Sequence, residues 1–369
     1  MRVSMRQKTF VCLSLLFVVM VQPDAVADDY QLLRSSPEGY AAVEQGRPFH
    51  FPQDHLPHEE YRIEWWYLTA NLKSEKGQQY GVHWTLFRQS MNANKNPGGW
   101  SSNQIWMAHA ALSLPEGHEY EERFARGGIG QAGVIVEPTG GFSAWMDNWS
   151  LQGLSDDPFP GSLRFTVKDI DVSLNLGANT PWVLQGNNGF SQKSAKGQAS
   201  YYYSQPHIDV VGSLSHQGTK VQLSGKAWLD REWSSQPLAP DQPGWDWLSL
   251  HFDDGYALMI YRLRQSSGGD WYSGTWITPA GKSESLKPED IVFEPLESTK
   301  VKTGPDEFRN LPLRWQVRLP SKNRQWTVQA LSENNWLNTT FPYWEGPVSV
   351  TDTVSGMPAG AGYLELTGY

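Results

Sequence analysis

Along most of the chain, apolar and polar residues alternate over about five to eight positions, and Gly, Pro, Asn or Asp clusters bound each run. That pattern predicts antiparallel strands, and helix signals are scarce. In the run from Tyr80 to Gln89, Tyr80, Val82, Trp84 and Leu86 take one face, and Gly81, His83, Thr85 and Phe87 the other. Both faces are partly apolar, as expected where one packs a core and the other lines a cavity. Further strands are predicted at 105–114, 134–137, 150–152, 163–176, 200–203, 207–214 and 219–229. A second group follows at 247–252, 257–264, 271–278, 291–295, 314–319, 324–331, 343–350 and 362–366. The fold class is therefore all-β, as two consecutive antiparallel β-barrel or sandwich domains, a ligand-holding barrel of about eight strands being the familiar closed form.

The pattern also repeats. Glu64-Trp65-Trp66-Tyr67-Leu68-Thr69 and Gly244-Trp245-Asp246-Trp247-Leu248-Ser249 align with Trp65 over Trp245 and Tyr67 over Trp247. The strings YGVHWTLFRQ (80–89) and YALMIYRLRQ (256–265) then match without a gap. In each copy an aliphatic set (Leu68, Ala70, Leu72; Leu248, Leu250, Phe252) faces opposite to the aromatic set (Trp65, Tyr67; Trp245, Trp247). The aliphatic faces supply cores, which leaves the aromatic faces for a ligand or for the interface between domains. The string Pro237-Leu-Ala-Pro-Asp-Gln-Pro243 reads as a linker, giving domains at 61–236 and 237–369 behind an extended lead-in at 28–60.

Residues 1–27 read as a cleaved signal peptide. Arg2, Arg6 and Lys8 precede the apolar stretch Thr9 to Val21, and Ala25-Val26-Ala27 follows. The product is expected to be exported, and periplasmic in a Gram-negative cell. The single cysteine, Cys12, lies in the leader, so the mature chain has no disulfide, thiolate nucleophile or Cys-based metal site. Removing the leader takes away three positive charges and one negative, moving the formal charge from -9 to -11. With no basic run to neutralise phosphates, nucleic acid is not an expected partner.

Asp230-Arg231-Glu232-Trp233 is the densest charge cluster beside aromatics. Alternation puts Trp228, Asp230 and Glu232 on one face and Arg231 and Trp233 on the other, with a partial echo at Ala144-Trp145-Met146-Asp147. Two readings stand: Asp230 and Glu232 as a general acid–base pair tuned by burial, or an ion-pair network in which Arg231 holds Asp230, Glu232 or Glu64 at the domain junction. The candidate ligand-facing set is Glu64, Trp65, Tyr67, Arg231, Trp233, Trp245 and Trp247. His50, His55 and His58, with Asp54 and Glu59, lie on a Pro-interrupted segment without fixed geometry, so no metal site is expected. There is no Gly-rich phosphate loop, nucleophile elbow or zinc-protease motif, and no cofactor is expected.

Five strings taken together, EWWYLTANL (64–72), GKAWLDREW (225–233), GWDWLSLHFDDG (244–255), YWEGPV (343–348) and GYLELTGY (362–369), resemble the AttH-like group of the carotenoid 1,2-hydratase superfamily. The resemblance implies two lipocalin-like domains, an export signal and association with an ABC transporter permease. It also implies kinship with hydratases and pericyclases that handle isoprenoid or polyketide substrates. Those hydratases carry a His in an Asp-His-Asn-Trp type string, where this chain has Arg231. The leading functional expectation is an exported protein that binds a lipid or isoprenoid. The alternative is a cofactor-independent hydratase, isomerase or cyclase working through Asp230 or Glu232. GYLELTGY itself is expected to close the second barrel or to be lent across the domain junction.

Overall fold

The computed structural model describes residues 31–369, so the leader expected at residues 1–27 lies outside the described part. Two antiparallel sheets dominate, a 13-stranded one and a 10-stranded one. The first curls into a nearly closed barrel and the second into a half-barrel. In the first, the order begins Gly117–Arg126, Gln104–Leu114, Gln79–Ser90, Ile63–Ser74, Thr219–Ser234, Ala199–His216, Ile170–Ala178. The second runs Ser283–Leu286, Trp271–Ile277, Ala257–Arg264, Gly244–Phe252, Pro358–Thr367, Tyr343–Asp352, Arg324–Ala330 and onward. The order is the same in both, and so is the register. Leu68 lies opposite Trp84 and Leu229, and Leu248 lies opposite Ile260 and Leu364. The duplication read from the aromatic strings is thus a duplication of topology, with the last strand of each sheet returning beside its first.

Side-chain alternation divides each sheet as the sequence pattern predicts. Trp66, Leu68, Ala70, Leu72, Val82, Trp84 and Leu86 fill the first barrel, and Leu248, Leu250, Phe252, Leu258 and Ile260 join the core of the second. The opposite faces meet each other. Tyr67, Tyr202, Trp228, Trp247, Met259, Tyr261 and Tyr363 form a third apolar cluster between the sheets, with Trp65 and Trp245 packed against it. Gly81 permits a close approach, because a Cβ there would stand 2.5 Å from the Tyr363 hydroxyl and 2.9 Å from the Pro347 ring. Neither barrel interior is therefore the ligand cavity that an eight-stranded container suggests.

Three local departures have local causes. The expected strand at 163–176 is a hairpin, Gly161–Val167 and Ile170–Ala178, turning at Lys168 with φ of 55°. The turn does leave a mark in the sequence, because the inward positions change phase from Leu163, Phe165 and Val167 to Ile170, Val172, Leu174 and Leu176 across Lys168-Asp169. Segments 200–203 and 207–214 are one strand, Ala199–His216, whose register shifts between Gln205 and Ile208. Pro206, without an N–H to donate, sits at that irregularity. Gly117–Arg126 is an edge strand of mostly half-buried polar residues, too charged to be recognised by apolar periodicity. The lead-in crosses the open end of the first barrel, where His55 accepts a 2.9 Å hydrogen bond from the Trp66 indole at its carbonyl.

Candidate functional site

Facing the second sheet, cross-strand partners in the first form a single polar row. Ser204 pairs with Asp230, Asp230 with Tyr67, Tyr67 with Thr85, Thr85 with His109, and His109 with Glu122. Directly opposed residues share a face, so one register line carries these six polar side chains across six strands. The second sheet answers with Glu345 opposite Glu365, Glu365 opposite Trp247, and Trp247 opposite Tyr261. Asp230 and Glu365 occupy equivalent places in the two copies, since each follows the leucine that faces Leu68 or Leu248.

Between the rows lies a cavity of about 190 Å³. One water needs roughly 10–15 Å³ of such space, so the volume suits a ligand of about a dozen or more heavy atoms. Trp65, Tyr67, Trp245, Trp247, Tyr202, Tyr261, Phe87 and Met107 supply much of its wall, with Asp230, Glu232, Glu365, Lys193, His109 and Tyr343 as its polar points. Leu33 from the lead-in and Pro237 and Leu238 from the linker complete one side.

The two carboxyls of the repeat are held by neutral donors. Asp230 accepts from the Tyr202 hydroxyl at 2.6 Å, the Ser204 hydroxyl at 2.5 Å and the Trp228 indole at 2.6 Å. The Trp247 indole donates to Tyr202 at 3.1 Å. Burial nevertheless pushes Asp230 up to about 7, with the nearby Glu232 charge adding to the rise and the three donors opposing it. Glu365 accepts from the Trp245 indole at 2.7 Å, and burial pushes it up to about 7 as well, helped by Asp230 and Glu232. Glu345, which accepts from the Tyr67 hydroxyl, is raised well above the carboxylate range by burial and by Glu365. Glu232 differs, because Lys193 Nζ stands 2.8 Å from it and Ser200 donates to it. Burial lowers the Lys193 ammonium, but Glu232 beside it outweighs that and the net shift is upward. The Lys193 ammonium also lies 4.3 Å from the Tyr261 ring centroid.

Of the residues singled out in the sequence, Trp65, Tyr67, Asp230, Glu232, Trp245 and Trp247 line this cavity. Glu64, Arg231 and Trp233 do not, because alternation turns them inward to the mouth of the first barrel. There Glu64 is fully buried and pairs with both Arg88 and Arg231, and the His58 N–H donates to it at 2.9 Å. Arg231 stacks 3.8 Å from the Trp66 ring centroid, and its Nη2 donates to the Leu56 carbonyl at 2.7 Å. Trp233 stacks on His58 with centroids 4.0 Å apart. Burial raises the Glu64 carboxyl, but the two guanidiniums overcome it and hold it well below the usual range. The Arg231 clamp thus grips Glu64 at the barrel mouth and leaves Asp230 and Glu232 to the other face.

Lys193, Tyr202, His109, Tyr343 and Glu365 were not singled out by sequence reasoning. Glu365 had a signal: Trp228-Leu229-Asp230 repeats as Tyr363-Leu364-Glu365, the true counterpart in place of the echo at 144–147. Tyr202 stood in a run of three tyrosines, of which Tyr201 and Tyr203 turn to the barrel mouth. Lys193 comes from a loop with no periodic pattern, and nothing local marks it.

No curated protein matches the chain. Solved structures similar to it include a protein from Nitrosomonas europaea that bears the AttH name, at 33% identity over 89% of this chain and 99% of that one, with a TM-score of 0.76. Kievitone hydratase from Nectria haematococca is 18% identical over 90% and 97%, with a TM-score of 0.62. CghA with Sch210972 is 13% identical over 91% and 96%, with a TM-score of 0.54. These last two share the fold. The AttH-like family model matches residues 42–369, the later part of the lead-in and both sheets that build the cavity, and the chain belongs to the AttH-like family.

Proposed function

We propose that the cavity between the sheets is the reaction chamber of a cofactor-independent acid–base enzyme, a hydratase, isomerase or cyclase for an apolar isoprenoid or polyketide substrate. The observation that carries this reading is the pair of equivalent buried carboxyls, Asp230 and Glu365, both pushed up to about 7 and both facing one aromatic-walled space. A carboxyl so placed is protonated in part near neutrality, where it can give a proton and take one back. Protonating an alkene leaves a carbocation, and the faces of Trp65, Trp245 and Trp247 would stabilise it without competing as nucleophiles. Addition of water, or loss of a proton from a neighbouring carbon, then returns the proton to a carboxylate. Glu232, neutralised by Lys193, serves as an anchor. Arg231, at the position where hydratases carry their His, is engaged with Glu64 on the far face, so the carboxyls are left to act.

Kievitone hydratase shows that this fold can house hydration, which supports the reading by analogy of fold alone. Export rests on the leader and is proposed as the compartment of the reaction. An ABC transporter partner rests on resemblance and plays no part in the chemistry. The test is incubation with prenylated and polyene compounds in D2O, followed by mass spectrometry for gain of water or deuterium on carbon. Asp230→Asn is expected to lower turnover by roughly 10²–10⁴-fold. Saturable quenching of Trp fluorescence by the same compounds, with no isotope incorporated, would return the protein to the binding role first read from its aromatic faces.

A further inference from the structure

At the opposite end of the polar row from Ser204 stands a second constellation that the acid pair does not use. His109 is buried and projects from the middle of its strand toward the cavity. Its Nε2 lies 3.0 Å from Glu122 Oε1 and its Nδ1 lies 2.8 Å from the Tyr343 hydroxyl. Glu122 is fixed from the other sheet's side, because the Thr340 N–H donates to it at 3.0 Å and the Thr340 hydroxyl at 3.1 Å. Burial raises the Glu122 carboxyl, but the bonds from His109 and Thr340 outweigh it and keep the group below its ordinary value. An ionised Glu122 accepts only, so Nε2 carries the ring proton and donates it, and Nδ1 is left to accept from the Tyr343 O–H. Tyr343 and His109 both line the cavity.

We infer that Glu122, His109 and Tyr343 form a proton-accepting relay, and that the substrate carries an acidic hydroxyl, of the phenol or enol kind, which the relay deprotonates. The inference rests on the cavity being the substrate site. The substrate O–H bond breaks as its proton passes to the Tyr343 oxygen, the Tyr343 proton passes to His109 Nδ1, and the resulting imidazolium is held by the Glu122 carboxylate. No oxidant or further reactant is involved. The order, carboxylate to imidazole to hydroxyl, is the arrangement by which a neutral imidazole activates a hydroxyl. Its position supplies what the acid pair lacks. Tyr343 pairs with Thr367 while Glu345 pairs with Glu365, so Tyr343 and Glu365 are diagonal neighbours on one face, about 7–8 Å apart. One end of a substrate can thus lose a proton while a carbon a few bonds away gains one. Tyr343 would touch the substrate, and His109 and Glu122 act through it as positioning residues.

The probe is 4-nitrophenol, whose anion alone absorbs strongly in the visible. Bound to the full chain, it is expected to ionise at a pH about one unit below that in water, a tenfold change in the ratio of anion to phenol. Tyr343→Phe and His109→Gln should each abolish that displacement while the probe still binds, whereas a residue that only shapes the wall would change affinity and leave the ionisation as it was. His109→Gln also serves if Tyr343→Phe loses its cooperative unfolding transition. A bound probe that ionises as in water, or a displacement that survives both substitutions, overturns the relay and leaves the acid pair standing. Failure of the probe to bind saturably, while the protein stays folded, would overturn the cavity as substrate site and the relay with it.

Discussion

Glu64 and Asp230 lie on neighbouring strands, a few residues apart in register, and both are buried, yet they face opposite sides of the same sheet and end in opposite states. Glu64 meets two guanidiniums and a backbone N–H, and stays ionised. Asp230 meets a phenol, a serine hydroxyl and an indole, and is raised to about 7. Both carboxyls have ample hydrogen bonds. Counter-charge makes the difference, because neutral donors offset only part of the desolvation that a buried anion suffers. One face of the sheet therefore uses a carboxylate to fasten the barrel mouth, and the other keeps a carboxylic acid ready to exchange its proton.

The harshest way to break this contrast is to remove a guanidinium. Arg231→Ala leaves Glu64 short of a partner in the interior, and the loss is expected at ~3–5 kcal/mol. Arg314→Ala, at an exposed pair with Glu297, should cost ~0–1 kcal/mol and serves as the control. Equal urea midpoints for the two variants would show that Glu64 does not need its clamp.

A gentler probe uses pH, since the two faces respond with opposite sign. Asp230 and Glu365 have raised values, so the folded state binds more protons than the unfolded chain between about pH 4 and about 7. Their contribution is full below pH ~4 and is lost as pH rises through 7, by at most roughly 1.4 kcal/mol per pH unit for each group. Glu64 has a lowered value, so its contribution is present above about pH 4.3 and is lost as pH falls below that. Glu345, also raised, adds to the loss with rising pH, while the histidines His83, His118 and His251, with values lowered by burial, oppose it up to about pH 6.5. The readout is therefore the difference between proteins: Asp230→Asn should make the slope of stability between pH 5 and pH 7 less negative than the wild type's, by up to roughly 1.4 kcal/mol per pH unit. A variant slope equal to the wild type would place the titration elsewhere.

The smallest effect sharpens the contrast within the acid face. Tyr202→Phe deletes one neutral donor to the Asp230 carboxylate, worth ~0.5–1.5 kcal/mol, and should raise the Asp230 value by up to about one unit. The limb of the pH–rate profile that reports Asp230 should move upward by that amount, and an unmoved or lowered limb would mean that the phenol does not favour the ionised form.

The aliphatic and aromatic sides of the repeated strands were legible in the sequence because strand alternation is strictly two-fold, and Leu68, Ala70 and Leu72 could face only one way. The same regularity placed Asp230 and Glu232 opposite Arg231 and Trp233. What alternation cannot express is partnership across strands. Arg231 was readable as a clamp with Glu64 among three candidate partners, but the choice of Glu64, the second guanidinium from Arg88 and the Lys193 partner of Glu232 are set by register and loop path. Glu365 was legible in principle, as the counterpart of Asp230, but Tyr363-Leu364-Glu365 reads first as a strand. His109 and Glu122 were harder still, since they meet only once the highly charged edge strand is placed beside its neighbour.

Each sheet is joined in its middle by a strand that returns to the first one, linking Ile63 to Ser234 and Leu248 to Leu364 across most of a domain. Pairings of such sequence separation carry a loop-closure entropy that a short hairpin does not, and that cost is met before the contacts reward it. Asp230 and Glu365 both ride on these returning strands. On the proposed reading, a chain that lacks either returning pairing, however much of its barrel it has built, presents no complete acid pair to the cleft.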